Sequence, residues 1–176
     1  LATQNPIEQE GTYPLPEAQV DRFMLKIRVQ YPTRDEELKI MRRMARTGEQ
    51  PDIRPVARPA QILNARDVLN ELYIDERVEQ YIVDLVLASR DPAGFGMPDV
   101  EPLVQYGASP RGSINLNLAA RAHAFLRHRA YVTPEDVRAV APDVLQHRIV
   151  ITYEAEAEDV TSAEIVDRIL DAVEVP

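Results

Sequence analysis

The sequence predicts a mainly α-helical fold, and three observations predict it. Apolar residues recur at helical spacing in segment after segment. Most of those segments open on a residue that caps helices well: Thr33, Asp75, Ser109, Thr133 and Thr161. Only one stretch, Phe23 to Tyr31, alternates apolar and polar with the period of a strand.

Residues 1–22 are polar and carry Pro6, Pro14 and Pro16, which predicts loop and short helix. From 23 to 31, Phe23, Leu25, Ile27, Val29 and Tyr31 share one face, while Met24, Lys26, Arg28 and Gln30 share the other. That pattern reads as a half-buried strand. A lone strand leaves its backbone groups unpaired, so it implies partners outside the segment.

Thr33 with Glu36 has capping-box spacing and opens a helix from Arg34 to about Arg46. Met41 and Met44 on that helix read as core. Residues 47–60 hold Gly48, Pro51, Pro55 and Pro59 and read as a loop. A second helix carries Ile62, Ala65, Leu69 and Leu72. Asp75 caps a third, with Val78, Ile82, Leu85 and Val86 facing inward. Residues 91–108 read as a Pro/Gly-rich loop.

Ser109-Pro110 then opens a long helix, with Ser at the cap and Pro in the first turn. Its expected inner face is Ile114, Leu118, Ala122, Phe125 and Leu126. Thr133-Pro134 repeats the signal with Asp136 three residues beyond the cap, and Pro142 is expected to break or restart that helix. Ile149 to Tyr153 reads as extended. Thr161 with Glu164 caps a last helix through Ile165, Val166, Ile169 and Leu170. The acidic run Glu154, Glu156, Glu158, Asp159 reads as a solvated linker or an acidic docking surface.

Composition excludes several functions. The net charge of −9 disfavours nucleic acid and acidic lipid as partners. There is no cysteine, which removes disulfides, thiol nucleophiles and thiolate metal sites. No apolar run is long enough to span a bilayer, and no signal segment opens the chain. A cytoplasmic protein with no membrane insertion is expected. The chain starts at Leu1 rather than Met, which suggests that it begins within a longer protein. His123 and His128 stand five apart, off one helix face, and there is no His-Glu-x-x-His, so no metal site is expected.

Arg111 is the residue that asks for an explanation. A helix N-terminus carries partial positive charge and free N–H groups, so a first-turn Arg is mildly unfavourable. It makes better sense beside an anion such as phosphate. The alternative is an Arg that swings out to solvent. Gly107 and Gly112 flank the cap and would let backbone approach a ligand, though either could be a plain loop glycine.

Ala2-Thr3-Gln4-Asn5-Pro6, followed by Glu8-Gln9-Glu10-Gly11-Thr12-Tyr13-Pro14-Leu15-Pro16-Glu17-Ala18-Gln19 and Asp21-Arg22-Phe23, resembles the MoxR family of AAA+ ATPases. Gly107-Ala108-Ser109-Pro110-Arg111 is similar to that family's second sensor. The resemblance covers essentially the whole chain. It implies a helical AAA+ lid bundle preceded by a remnant, the last strand, of the α/β nucleotide-binding domain. Residues 1–30 would be that remnant, 31–155 the lid and 156–176 a C-terminal capping helix. Asn5 would be sensor 1 and orient the attacking water; without the family it is simply an Asn-Pro turn. Arg22 would be the arginine finger acting on a neighbouring subunit; otherwise it is a surface partner of Asp21 or Glu17. Arg111, with Ser109 and Pro110, would be sensor 2. The family usually has Ala where Gly112 stands, which should loosen the first turn.

No Gly-x-x-x-x-Gly-Lys-Ser/Thr occurs, and neither Lys26 nor Lys39 follows a Gly. No apolar strand ends in an acidic pair for Mg²⁺. This chain alone is therefore expected neither to hydrolyse ATP nor to hold nucleotide tightly. The resemblance implies ATP and Mg²⁺ in a complete protein, a ring of commonly six subunits, chaperone-like maturation of a partner complex, and partners with von Willebrand factor A domains. The competing reading is a non-enzymatic helical adaptor that has lost nucleotide chemistry.

Overall fold

The computed structural model describes residues 1–3, 15–45, 47–48 and 53–176. Among them are eight α-helices and one two-stranded sheet, so the fold is mainly α. The chain forms two units, one of residues 1–26 with 73–176 and one of residues 27–72.

The smaller unit contains α2 (Arg34–Met44) and α3 (Pro59–Glu71). The capping box that opens α2 forms: Thr33 Oγ1 accepts from the Glu36 amide at 3.4 Å, and Glu36 Oε2 accepts from the Thr33 amide at 2.8 Å. Neither helix buries a residue. Met41 and Met44 are exposed rather than core, and so is Ile62. The pattern of these helices is apolar on one face, but none of the described residues of the unit buries it.

The segment 23–31 is not hydrogen-bonded into a sheet. Its alternation is real, but no neighbouring strand among the described residues is available to pair with it. Ile27, Val29 and Tyr31 are exposed.

The larger unit holds the core. It comprises α1 (Glu17–Val20), α4 (Glu76–Ala88), α5 (Pro110–Leu126), α6 (Pro134–Leu145), α7 (Tyr153–Ala157) and α8 (Ser162–Ala172). Asp75 caps α4 by accepting from the Arg77 amide at 3.0 Å. Val78, Ile82, Leu85 and Val86 are buried on α4 as their spacing predicts. On α8, Thr161 and Glu164 form their capping box, and Ile165, Val166, Ile169 and Leu170 are buried. Leu85, Leu116, Val137, Val144, Leu145, Ile165 and Ile169 form the centre of the core.

α5 differs from its expected orientation. Its buried residues are Gly112, Leu116, Ala119, Ala120 and Ala124, while Ile114, Leu118 and Leu126 are exposed. Small side chains let α5 approach its neighbours closely. A Cβ on Gly112 would meet Val86 Cγ2 at 3.3 Å and Leu145 Cδ2 at 3.4 Å. Gly112 therefore lies in a tight helix contact, where its missing Cβ leaves room for α4 and α6.

Pro142 does not break α6, which runs through it to Leu145. Pro142 lies at the start of the last turn, where losing one N–H donor is tolerable once the helix is held by packing. Within the 91–108 loop, β1 (Val104–Tyr106) pairs antiparallel with β2 (Val150–Ile151), with an irregularity between Val104 and Tyr106. The acidic run after it is not an extended linker. Thr152 caps α7, which buries Ala155 and leaves its glutamates exposed.

Candidate functional site

The site lies where the N-terminus of α5 meets the turn that follows α1. Ser109 caps α5: its Oγ accepts from the Arg111 amide at 3.2 Å, and Pro110 fills the first helical position. The preceding loop is pinned to the end of α4. Ser89, fully buried, donates its hydroxyl to Val86 O at 2.6 Å and accepts from the Ala108 amide at 2.9 Å. Arg90 Nε donates to Ala108 O at 2.7 Å. A Cβ on Gly107 would sit 2.3 Å from the Ser89 carbonyl oxygen. The close approach that Gly107 permits is thus to its own chain, which fixes the height of the α5 cap.

Asp21 is the hub. Ser109 Oγ lies 3.0 Å from each of its carboxylate oxygens, and Arg111 Nη1 donates to Oδ2 at 2.9 Å. On the other side Arg148 Nε stands 3.2 Å from Oδ1. Burial pushes the Asp21 carboxyl up; hydrogen bonds from Arg111 and Ser109 and the charges of Arg148 and Arg111 outweigh this and hold it below the usual range.

Arg148 has a side chain with no exposed surface. It grips the backbone of the turn, with Nη2 donating to Asp21 O at 3.1 Å and to Phe23 O at 2.5 Å. Its Nη1 donates to Val144 O. Burial lowers its pKa, partly offset by Asp21. Neighbouring bonds complete the clamp. Gln146 Nε2 donates to Lys26 O at 2.7 Å, the Lys26 amide donates to Asp143 O at 2.8 Å, and His147 Nε2 lies 3.0 Å from Phe23 O. Burial lowers the pKa of His147, with the Arg148 charge adding to it and the Phe23 bond opposing. The C-terminal end of α6 thus fixes residues 21–26.

Arg22 sits between the two gripped carbonyls. Its side chain is exposed and has no hydrogen-bond or ion-pair partner among the described residues. The surface pair with Asp21 that its sequence neighbours allow does not form, because Asp21 is taken by Arg111, Ser109 and Arg148. Arg111 is about half exposed, at 53% for its side chain. Asn5 lies outside the described residues. Of the expected site residues, Ser109 and Arg111 meet on the Asp21 carboxylate; Pro110 only fills the first turn of α5, and the Arg22 side chain, next in sequence to Asp21, does not join them. Asp21 as hub and Arg148 as clamp were not legible. Arg148 is separated from the turn by more than 120 positions, and no local pattern marks a buried arginine.

A second polar cluster supports the bundle. Asp136, fully buried, accepts from His123 Nδ1 at 2.7 Å, from Arg129 Nη1 at 2.7 Å and from the Thr133 amide at 2.8 Å. Burial raises its pKa, but Arg129, Thr133 and His123 together bring it down to about 2. This explains His123 as a structural histidine.

Residues 98–169 match the AAA lid domain, and residues 1–25 match the ATPase family associated with various cellular activities. Chaperone MoxR1 of Mycobacterium tuberculosis is 43% identical over all 176 residues, which make up 46% of that protein. Protein MoxR of Paracoccus denitrificans is 34% identical over 188 positions, covering the whole chain and 55% of its own length. The crystal structure of a candidate ATPase from Cytophaga hutchinsonii superposes with a TM-score of 0.93 at 46% identity, covering 98% of this chain and 52% of that one. The chain spans about half the length of the relatives it matches. With the lid, the stretch before it and these relatives all agreeing, the chain belongs to the MoxR family of AAA+ ATPases.

Proposed function

We propose that this chain is the nucleotide-sensing part of a MoxR-type AAA+ ATPase. The observation that carries the reading is the bond of Arg111, in the first turn of α5, to Asp21, whose neighbour Arg22 is exposed and has no side-chain partner among the described residues.

Arg111 senses phosphate of ATP from the lid side of its own subunit. The free N–H groups and partial positive charge of the α5 N-terminus favour an anion there, and the guanidinium is exposed enough to reach it. Arg22 acts across a subunit interface, where its planar fork stabilises charge developing on the transferred phosphoryl group. Asn5 orients the attacking water. ATP bound with Mg²⁺ supplies the phosphoanhydride that is cleaved; this chain supplies the cationic side chains and the moving lid. Ring assembly, commonly of six subunits, brings each Arg22 to a neighbour's site. Lid movement acts on a partner complex in a chaperone-like way, with von Willebrand factor A domain proteins as the class of partner.

The test is ATP binding and hydrolysis by this chain and by the full-length product of its gene. This chain alone gives no turnover. The full-length protein hydrolyses ATP, and Arg111→Ala weakens its nucleotide affinity about tenfold, as loss of one charge-assisted contact should. A full-length protein that neither binds nor hydrolyses ATP would make the chain an adaptor.

A further inference from the structure

We propose that Asp21 couples phosphate binding at Arg111 to the position of Arg22: without phosphate it holds Arg111, and when phosphate takes Arg111 it turns to Arg148 and tightens the grip of that arginine on the Arg22 turn. This rests on the roles given above to Arg111 and Arg22.

Three groups compete for one carboxylate. Ser109 Oγ is 3.0 Å from both oxygens, Arg111 Nη1 is 2.9 Å from Oδ2, and Arg148 Nε is 3.2 Å from Oδ1. The third contact is poorly aligned. Arg148 Nε is buried and makes no hydrogen bond among the described residues, although Asp21 is within ion-pair distance. A buried charged N–H without a partner is costly, and Asp21 is the acceptor at hand. Asp21 is therefore held in a compromise that favours Arg111 and Ser109 over Arg148.

Arg111 is the claimant open to solvent, with 53% of its side chain exposed against none for Arg148. It is thus the one that a nucleotide phosphate can remove. A phosphate offers a guanidinium more charge and more acceptor oxygens than a single carboxylate. Once Arg111 has left, Oδ1 is free to align with Arg148 Nε. The same guanidinium already holds the carbonyls of Asp21 and Phe23, which flank Arg22. A shift of Asp21 is therefore passed directly to the turn that carries Arg22. Asp21 is a positioning residue, since it touches no substrate.

The experiment uses the full-length protein with a non-hydrolysable ATP analogue. In the wild type, bound analogue slows hydrogen exchange at the amides of residues 23–26 about threefold or more. In Asp21→Asn, Arg111 is released in advance. Affinity for the analogue then rises about 1.5- to fivefold, a range set by the strength of a partly exposed ion pair. Turnover nevertheless falls at least about tenfold, because the coupling is lost. Asp21→Glu restores both, and in an Arg111→Ala background Asp21→Asn no longer changes affinity. If Arg111→Ala weakens binding while Asp21→Asn leaves affinity unchanged, phosphate sensing stands and the coupling is overturned. If Arg111→Ala has no effect on affinity, the sensing role itself fails, and the coupling with it. Should Asp21→Asn not fold, unchanged exchange at residues 23–26 in the analogue-bound wild type overturns the proposal.

Discussion

Arg22→Ala in the full-length protein lowers the ATP turnover number by about a thousandfold or more, the scale expected for removing an arginine that stabilises phosphoryl-transfer charge. The affinity of each subunit for ATP stays within about twofold, and the melting temperature is unchanged. The structure explains why these effects separate. The Arg22 side chain is exposed and makes no contact among the described residues whose loss would weaken the fold. Its backbone is held by Arg148 at the flanking carbonyls, so the turn keeps its shape without the guanidinium. Arg22→Lys rescues only part of the rate, because an ammonium lacks the planar fork. Steady-state ATPase assays beside equilibrium nucleotide binding check this. A variant with unchanged turnover would remove Arg22 from the finger role.

Asp136→Asn lowers the stability of the helical bundle by about 2–4 kcal/mol, because it breaks a buried network while leaving Arg129 and His123 in place. For a unit of this size that is a fall in melting temperature of roughly 5–15 °C. The substitution keeps the shape and removes the charge. Arg129 loses its bidentate acceptor, and the capping box that opens α6 loses one oxygen. The pH dependence has a definite sign. The Asp136 pKa is lowered to about 2 in the folded chain. Its contribution is therefore complete above the unfolded aspartate value and fades as pH falls from about 4 towards 2. Thermal unfolding across that range should show a steep acid loss in the wild type and a shallower one in Asp136→Asn. Equal acid slopes would place the network's weight elsewhere.

The features legible in the sequence are the local ones. Thr33 with Glu36, Asp75, Ser109-Pro110, Thr133 with Asp136 and Thr161 with Glu164 each mark a helix start that the structure contains. Capping chemistry acts over three or four residues, so it can be read without tertiary context. The buried face of α5 was not legible, because apolar size was the only guide to it. α5 packs through Gly112, Ala119, Ala120 and Ala124, which favour close helix approach, and turns Ile114 and Leu118 outward. β1 was hidden because three residues between a 3₁₀ turn at Glu101–Leu103 and the loop before α5 carry no period. At the site, Ser109 and Arg111 could be found from their place at a helix start. Arg148 could not, because its role depends on carbonyls of Asp21 and Phe23 far away in the chain.

The proposed function divides the labour between two arginines: Arg111 acts on the ATP of its own subunit and Arg22 on that of the next. Mixing tests it most directly. Full-length Arg22→Ala and Arg111→Ala subunits are co-expressed, and the ATPase rate of mixed rings is compared with that of each pure variant. An interface with ATP on an Arg22→Ala subunit and the finger from an Arg111→Ala subunit has both arginines intact. At ATP well below the dissociation constant, where the affinity defect of Arg111→Ala limits its rate, mixed rings are expected to run well above either variant alone. Mixed rings no faster than the average of the two pure variants would contradict it.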